Sequence, residues 1–252
     1  IFWSHNTDYF PYIDGETKNY DKNLSSIDGL VCLTDWHGKF WKEKYNSIEP
    51  TIIGNGLNVN SFNNIIKKET NTFLWSSALD RGIIELLENW PKILKVLPDA
   101  KLNICYPHYS NHVSPSLVKE IKKYASNSVD ILGTLDQSSL HNLMERTEYW
   151  CYVTDYLETY CITALEMQYA NVIPIVSKVA ALDETVPFNI KIDNSNNKWD
   201  VLLDRLIELN KPLKDKIVTK NRNWAKQQTW QMRALQWKDL FESLNNITYE
   251  DR

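Results

Sequence analysis

From residue 149 to residue 176 the chain passes through an apolar run, a polar turn, a helical pattern and a second apolar run, and that order leaves few folds open. The first run, 149–153 (YWCYV), ends at the turn. Glu158 stands where a helix is predicted to begin, Ile162, Leu165 and Tyr169 fall on one helical face, and 172–176 (VIPIV) follows. The reading is strand, loop, helix, strand. In an open α/β sheet the loop at the carboxyl end of such a strand is where a ligand's phosphates meet free backbone N–H groups and the positive end of a helix dipole.

Two glutamates mark this stretch, Glu158 and Glu166. On one helix they would stand roughly 12 Å apart along the axis, at 1.5 Å per residue, beyond the spacing of carboxylates that act on a single glycosidic bond. An acid and base sharing one bond are therefore excluded. Two readings stay open: a first-turn acid favoured by the dipole and an ordinary helix-surface charge, or two acids holding opposite ends of one extended ligand.

With 43% apolar and 24% charged residues in 252, the chain can bury one large core or two modest ones. A net charge of −4 argues against nucleic acid as a partner. No apolar run approaches the roughly 20 residues of a membrane helix and no basic-then-apolar leader opens the chain, so a cytoplasmic enzyme domain without an integral membrane segment is expected. Three of the four cysteines (Cys32, Cys105, Cys151, with Cys161 the fourth) lie in strand-like runs and read as reduced core thiols. Residue 1 is Ile, so the chain reads as a processed product or a piece of a longer polypeptide. Neither GxGxxG nor a P-loop occurs, which disfavours a dinucleotide oxidoreductase or a nucleoside triphosphatase.

Before residue 54 the pattern predicts a strand at IFWSH, another at 29–34, a helix over 35–45 and a short strand at 51–53, too few strands for a stable half-domain. From Thr72 regular βα alternation predicts a parallel sheet: strands at 73–77, 101–106 and 129–132, helices at 82–97, 116–125 and 138–145, then the central stretch, a strand at 190–192 and helices at 199–209, 213–227 and 230–244. Trp224, Trp230 and Trp237 are expected to form a packing seam. His37, beside Trp36 and Trp41, reads as a packing residue; His108 and His112 have metal-compatible spacing, but Pro107 and Ser110 break the helix and no carboxylate accompanies them, so no metal site is expected. A second candidate site is SSALDRG (76–82), a turn that opens a helix with an Arg and offers hydroxyls, N–H groups and a permanent cation to a pyrophosphate.

ETYCITALE followed by NVIPIVSKVAALDETV resembles the donor-binding signature of retaining GT-B glycosyltransferases, in particular glycosyltransferase family 4: Glu, seven residues, Glu, a strand with Pro, and a loop ending in Glu-x-Val. SSALDRGIIELLENWPKI resembles the family's diphosphate-gripping loop and helix, VCLTDWHGKFW the strand and helix before its crossover, and IIGNGLNVNSF its I-P-N-G-I-D linker, with Gly54 in place of proline. The resemblance implies an α/β fold, a Rossmann-like parallel sheet with helices on both faces plus a partial second Rossmann-like lobe. Residues 1–56 would close the acceptor-side domain and 57–252 would form the nucleotide-sugar domain.

It also implies a metal-independent, retaining hexosyltransferase with no cofactor beyond its donor substrate, a UDP- or GDP-sugar, and a carbohydrate or other hydroxyl as acceptor. Ser76, Ser77 and Arg81 would hold the diphosphate with the N–H groups of Thr159, Tyr160 and Cys161. Leu132 and Gly133 would flank the base, Glu166 would bind the ribose, and Glu158, with His5 facing the sugar, would serve the reacting centre. Thr159, Tyr160 and Cys161 replace the family's Gly-Phe-Gly and Ala180 and Ala181 its Gly-Gly, which narrows the backbone's approach to a ligand; Thr159 is expected to cap the helix. A non-catalytic nucleotide-sugar-binding module and a nucleotide-sugar epimerase are the alternatives.

Overall fold

The computed structural model describes residues 1–5, 27–44, 49–63, 67–107 and 114–250. His108 and His112 lie outside these. Two parallel sheets form. The smaller has β1 (Phe2–Trp3), β2 (Leu30–Cys32) and β3 (Pro50–Ile52) in that spatial order, with α1 (Asp35–Lys44) crossing from β2 to β3.

The larger sheet begins with β4 (Thr72–Ser76), followed by α2 (Ile83–Val96), β5 (Lys101–Cys105), α3 (Pro115–Ile121), β6 (Val129–Gly133) and α4 (Gln137–Arg146). It continues through β7 (Tyr149–Tyr152), α5 (Ile162–Tyr169), β8 (Ile173–Ser177), α6 (Leu182–Thr185) and β9 (Ile190–Ile192) to α7 (Lys198–Glu208), α8 (Lys211–Ala225) and α9 (Trp230–Glu250). Its strand order is β6-β5-β4-β7-β8-β9, every pairing parallel. The winding reverses between β4 and β7, and a crevice opens outside the carboxyl ends of those two strands.

The central strands β4, β7 and β8 are buried almost throughout because helices cover both faces: α2 packs with α3 and α7, whereas α5 packs with α4 and α8. Phe73, Trp75, Tyr149, Trp150 and Tyr152 are almost wholly buried in the sheet's centre, each worth on the order of 2 kcal/mol in transfer from water. Pro174 is tolerated inside β8 because β9 begins to pair only at Ile175. All four cysteines are free, and burial pushes Cys32, Cys105 and Cys151 up to about 12.

Three expectations need correction. The helix expected from Glu158 starts at Ile162, because Cys161 sits in left-handed backbone at φ 69° immediately before it and Glu158 belongs to the loop. Thr159 is not its cap; its hydroxyl donates to the His5 carbonyl at 2.7 Å. The tryptophans form no single seam: Trp224 packs on the large core, Trp230 is exposed, and Trp237 meets Trp3 of the small sheet edge-on at 5.1 Å.

The expected division at 56/57 falls in the connection between the sheets. There Leu57 exchanges backbone hydrogen bonds with the segment entering α9, donating to the Gln228 carbonyl at 2.7 Å. Gly56 permits the approach: a Cβ would stand 2.5 Å from the Trp230 backbone nitrogen.

Candidate functional site

A cavity of about 280 Å³ lies at the switch point between the two sheets. The small lobe and linker contribute His5, Leu33 and Asn55; the β4 turn contributes Ser77 and Arg81; and 156–163 forms the rest of the wall. Of the residues singled out in the sequence, His5, Ser77, Arg81, Glu158, Thr159, Tyr160 and Cys161 come together here. Ser76, Leu132, Gly133 and Glu166 do not line it.

The wall facing the large lobe is built on backbone. Among the described residues, the N–H groups of Thr159, Tyr160, Cys161, Ile162 and Thr163 have no hydrogen-bond acceptor, and the first intrahelical donor is Ala164, to the Cys161 carbonyl at 3.0 Å. Cys161, Ile162 and Thr163 are orphan donors of α5's N-terminus, where the helix dipole adds partial positive charge, and Thr159 and Tyr160 belong to the loop that leads into it. Nearby, Gly82 takes φ 110°, and a Cβ on it would come within 3.2 Å of the Val153 carbonyl oxygen. A glycine there lets the β4 turn close against the loop after β7 and carries Arg81 into the cavity.

Arg81 is held on two sides. Its Nη1 donates to Glu158 Oε1 at 2.7 Å, and its guanidinium lies over the Tyr156 ring at 4.0 Å. The same Glu158 oxygen accepts from the Tyr152 hydroxyl at 2.6 Å, and the Ser77 hydroxyl donates to Tyr152 at 3.4 Å. Burial works against charge on Arg81, but Glu158, Tyr152 and Tyr156 together outweigh it and hold the guanidinium above its already high ordinary value. Arg81 is thus a permanent cation aimed into the cavity. Tyr152 and Tyr156 were not singled out in the sequence, and only their places at a strand end and in the following turn could have marked them.

The remaining candidates sit elsewhere. Ser76, the last residue of β4, buries a hydroxyl that has no hydrogen-bond partner among the described residues. Leu132 and Gly133 end β6, two strands from β4 at the same end of the sheet, where the Gly133 carbonyl accepts from the Tyr106 N–H at 3.1 Å. Glu166 lies one turn beyond Thr163 on α5, and its Oε1 accepts from His141 Nε2 at 3.1 Å. His141, a residue the sequence reading missed, stacks on Phe62 at 4.3 Å and contacts the Ser61 carbonyl through Nδ1. Burial opposes charge on His141, but Glu166 and Ser61 together raise it above its ordinary value.

His5 is lowered by burial and so favours the neutral imidazole. Cys161, half-buried and near Glu158, is raised well above its ordinary value by desolvation and is a thiol rather than a thiolate nucleophile. The arrangement can therefore receive an anion on backbone donors and one guanidinium, with a buried carboxylate alongside.

The same architecture occurs in solved structures of low sequence identity. A glycosyltransferase from Rickettsia africae has a TM-score of 0.76 at 15% identity, over 90% of this chain and 67% of that one. Sucrose-phosphate synthase from Thermosynechococcus elongatus also scores 0.76, at 16% identity over 97% and 67%. S. aureus TarM in complex with UDP and other ligands scores 0.74 at 16% identity, over 95% and 50%. The chain thus spans between half and two thirds of those lengths, and the fold is the GT-B arrangement. No curated protein matches it in sequence. The profile of the glycosyl transferases group 1 matches residues 57–226, which contain the whole large sheet and every large-lobe residue of the cavity. By that match the chain belongs to the group 1 glycosyl transferases.

Proposed function

We propose that the cavity binds the diphosphate of a nucleoside diphosphate sugar and that the protein of which this chain is part transfers the sugar to a hydroxyl acceptor with retention and without a metal ion. The observation that carries this reading is the row of five acceptorless N–H groups, Thr159 to Thr163, set beside Arg81 at the switch point. A diphosphate satisfies those donors and meets the guanidinium.

Charge on the diphosphate grows as the bond to the anomeric carbon breaks, and donors fixed in advance stabilise it without reorganisation. Glu158 keeps Arg81 aimed and lies close enough to the cavity to face the oxocarbenium-like carbon. The departing phosphate oxygen takes the acceptor's proton as the acceptor oxygen bonds to the anomeric carbon, and the N–H donors and Arg81 stabilise the charge that stays on the diphosphate. Glu166, fixed by His141, binds the ribose hydroxyls, and the ends of β5 and β6, with Leu132 and Gly133, flank the base. UDP is the donor nucleotide we favour, because S. aureus TarM was solved with UDP.

Thermal melts with UDP, GDP and their sugars test the reading. A ligand at a hundred times its Kd stabilises the fold by about 2.7 kcal/mol. One diphosphate is expected to raise the melting temperature of wild type, and Arg81→Ala to lose most of that shift. No shift with any diphosphate, or an equal shift in Arg81→Ala, contradicts the site.

A further inference from the structure

The first turn of α1, in the small lobe, is capped from the large lobe. The Trp36 N–H donates to Glu184 Oε1 at 2.6 Å and the Asp35 N–H to Oε2 at 2.9 Å, so one carboxylate takes two of the helix's orphan donors. Glu184 is the glutamate of the Glu-x-Val that ends the donor-binding signature, yet it does not line the cavity. Burial raises its carboxyl above the ordinary value in spite of the two donors, so the charge is kept there against its solvation preference.

The segment bearing Glu184 is tied to the cavity wall, since the Ala181 N–H donates to the Glu158 carbonyl at 3.1 Å. The wall in turn touches the small lobe at two further points: the Thr34 hydroxyl, one residue before α1, donates to the Thr159 carbonyl at 3.1 Å, and Thr159 donates to the His5 carbonyl. Three polar links between the lobes therefore pass through two short segments, 158–159 and 181–184, joined to one another.

We propose that Glu184 is a positioning residue for glycosyl transfer: by capping α1 it sets the angle between the lobes and so places His5 and the small-lobe wall over the donor. It acts through α1 and touches no substrate. The proposal rests on the donor site above but makes a separate claim, that Glu184 governs lobe geometry and not nucleotide grip.

Spin labels at the exposed positions Glu43 on α1 and Asp204 on α7 report the distance between lobes by pulsed electron resonance. Wild type is expected to give one narrow distribution, Glu184→Ala a broad one, and Glu184→Gln, which retains a single carbonyl acceptor, an intermediate width. UDP affinity by calorimetry is expected to change by less than about threefold in both variants, while kcat/KM for transfer in the full-length protein falls by at least about tenfold through kcat, as misplacement of a reacting group does. An unchanged distribution in Glu184→Ala overturns the proposal, and so does a loss of UDP affinity as large as that of Arg81→Ala. Failure of the donor reading shows itself differently: wild type then binds no diphosphate, whatever the distance distributions are.

Discussion

Arg81 and Glu158 are neither a free cation nor a free base; each is held by the other, and Tyr152 and Tyr156 hold them both. Because Glu158 is buried, removing a donor from it leaves part of a charge unsatisfied. Tyr152→Phe is expected to cost about 1–3 kcal/mol in urea unfolding with the fold unchanged; a cost under about 0.5 kcal/mol would show that the hydroxyl does not support the carboxylate. His141 and Glu166 give a pH signature. A histidine raised in the fold adds stability that is full below its ordinary value of 6.5 and is lost as pH rises through the raised value. Glu166→Gln should therefore destabilise by about 1–3 kcal/mol near pH 5.5 and by much less near pH 8.5. Equal destabilisation at both would remove the charge from the pair. Glu158, Arg81 and Thr159, which line one cavity, were picked out in the sequence as candidates because they lie within short strings of recognisable spacing. Their partners were not: Arg81 and Glu158 lie 77 residues apart, and His141 and Glu166 pair across two helices that no local pattern connects.

Along the elements, the βα alternation was legible because each buried strand is a short apolar run and each helix keeps one apolar stripe. The start of α5 was not: the resembled motif has glycine where Cys161 takes left-handed backbone, a conformation that glycine fills more easily, and the cysteine itself does not show that the turn is kept. Cys161→Gly is expected to raise unfolding stability by up to about 1 kcal/mol; a marked loss would mean that the thiol's packing outweighs the strain. The linker carries the opposite case. At Gly54, where the resembled linker has proline, a Cβ would stand 2.5 Å from the Tyr160 ring, whose hydroxyl donates to the Asn55 carbonyl at 2.9 Å. Gly54→Ala should cost about 1–3 kcal/mol, the usual range for overpacking, and distort the cavity wall. A variant as stable as wild type would show that the ring yields.

For the molecule as a whole, the six-stranded sheet and its switch point decide where a ligand binds, and the small lobe closes the crevice through contacts far apart in sequence. Glu184 reaches α1 across 149 residues, and α9 returns from the large lobe to set Trp237 on Trp3. Such contacts depend on how two folded units meet, so the sequence showed that there were two lobes but not what joins them. The most direct test of the donor site is the amide spectrum of the ¹⁵N-labelled protein during titration with UDP or GDP. The resonances of Thr159 to Thr163 and the side-chain signal of Arg81 are expected to shift together and saturate with one affinity. If a diphosphate binds while those five amides stay in place, it is held elsewhere, and the row of N–H groups beside Arg81 is not its site.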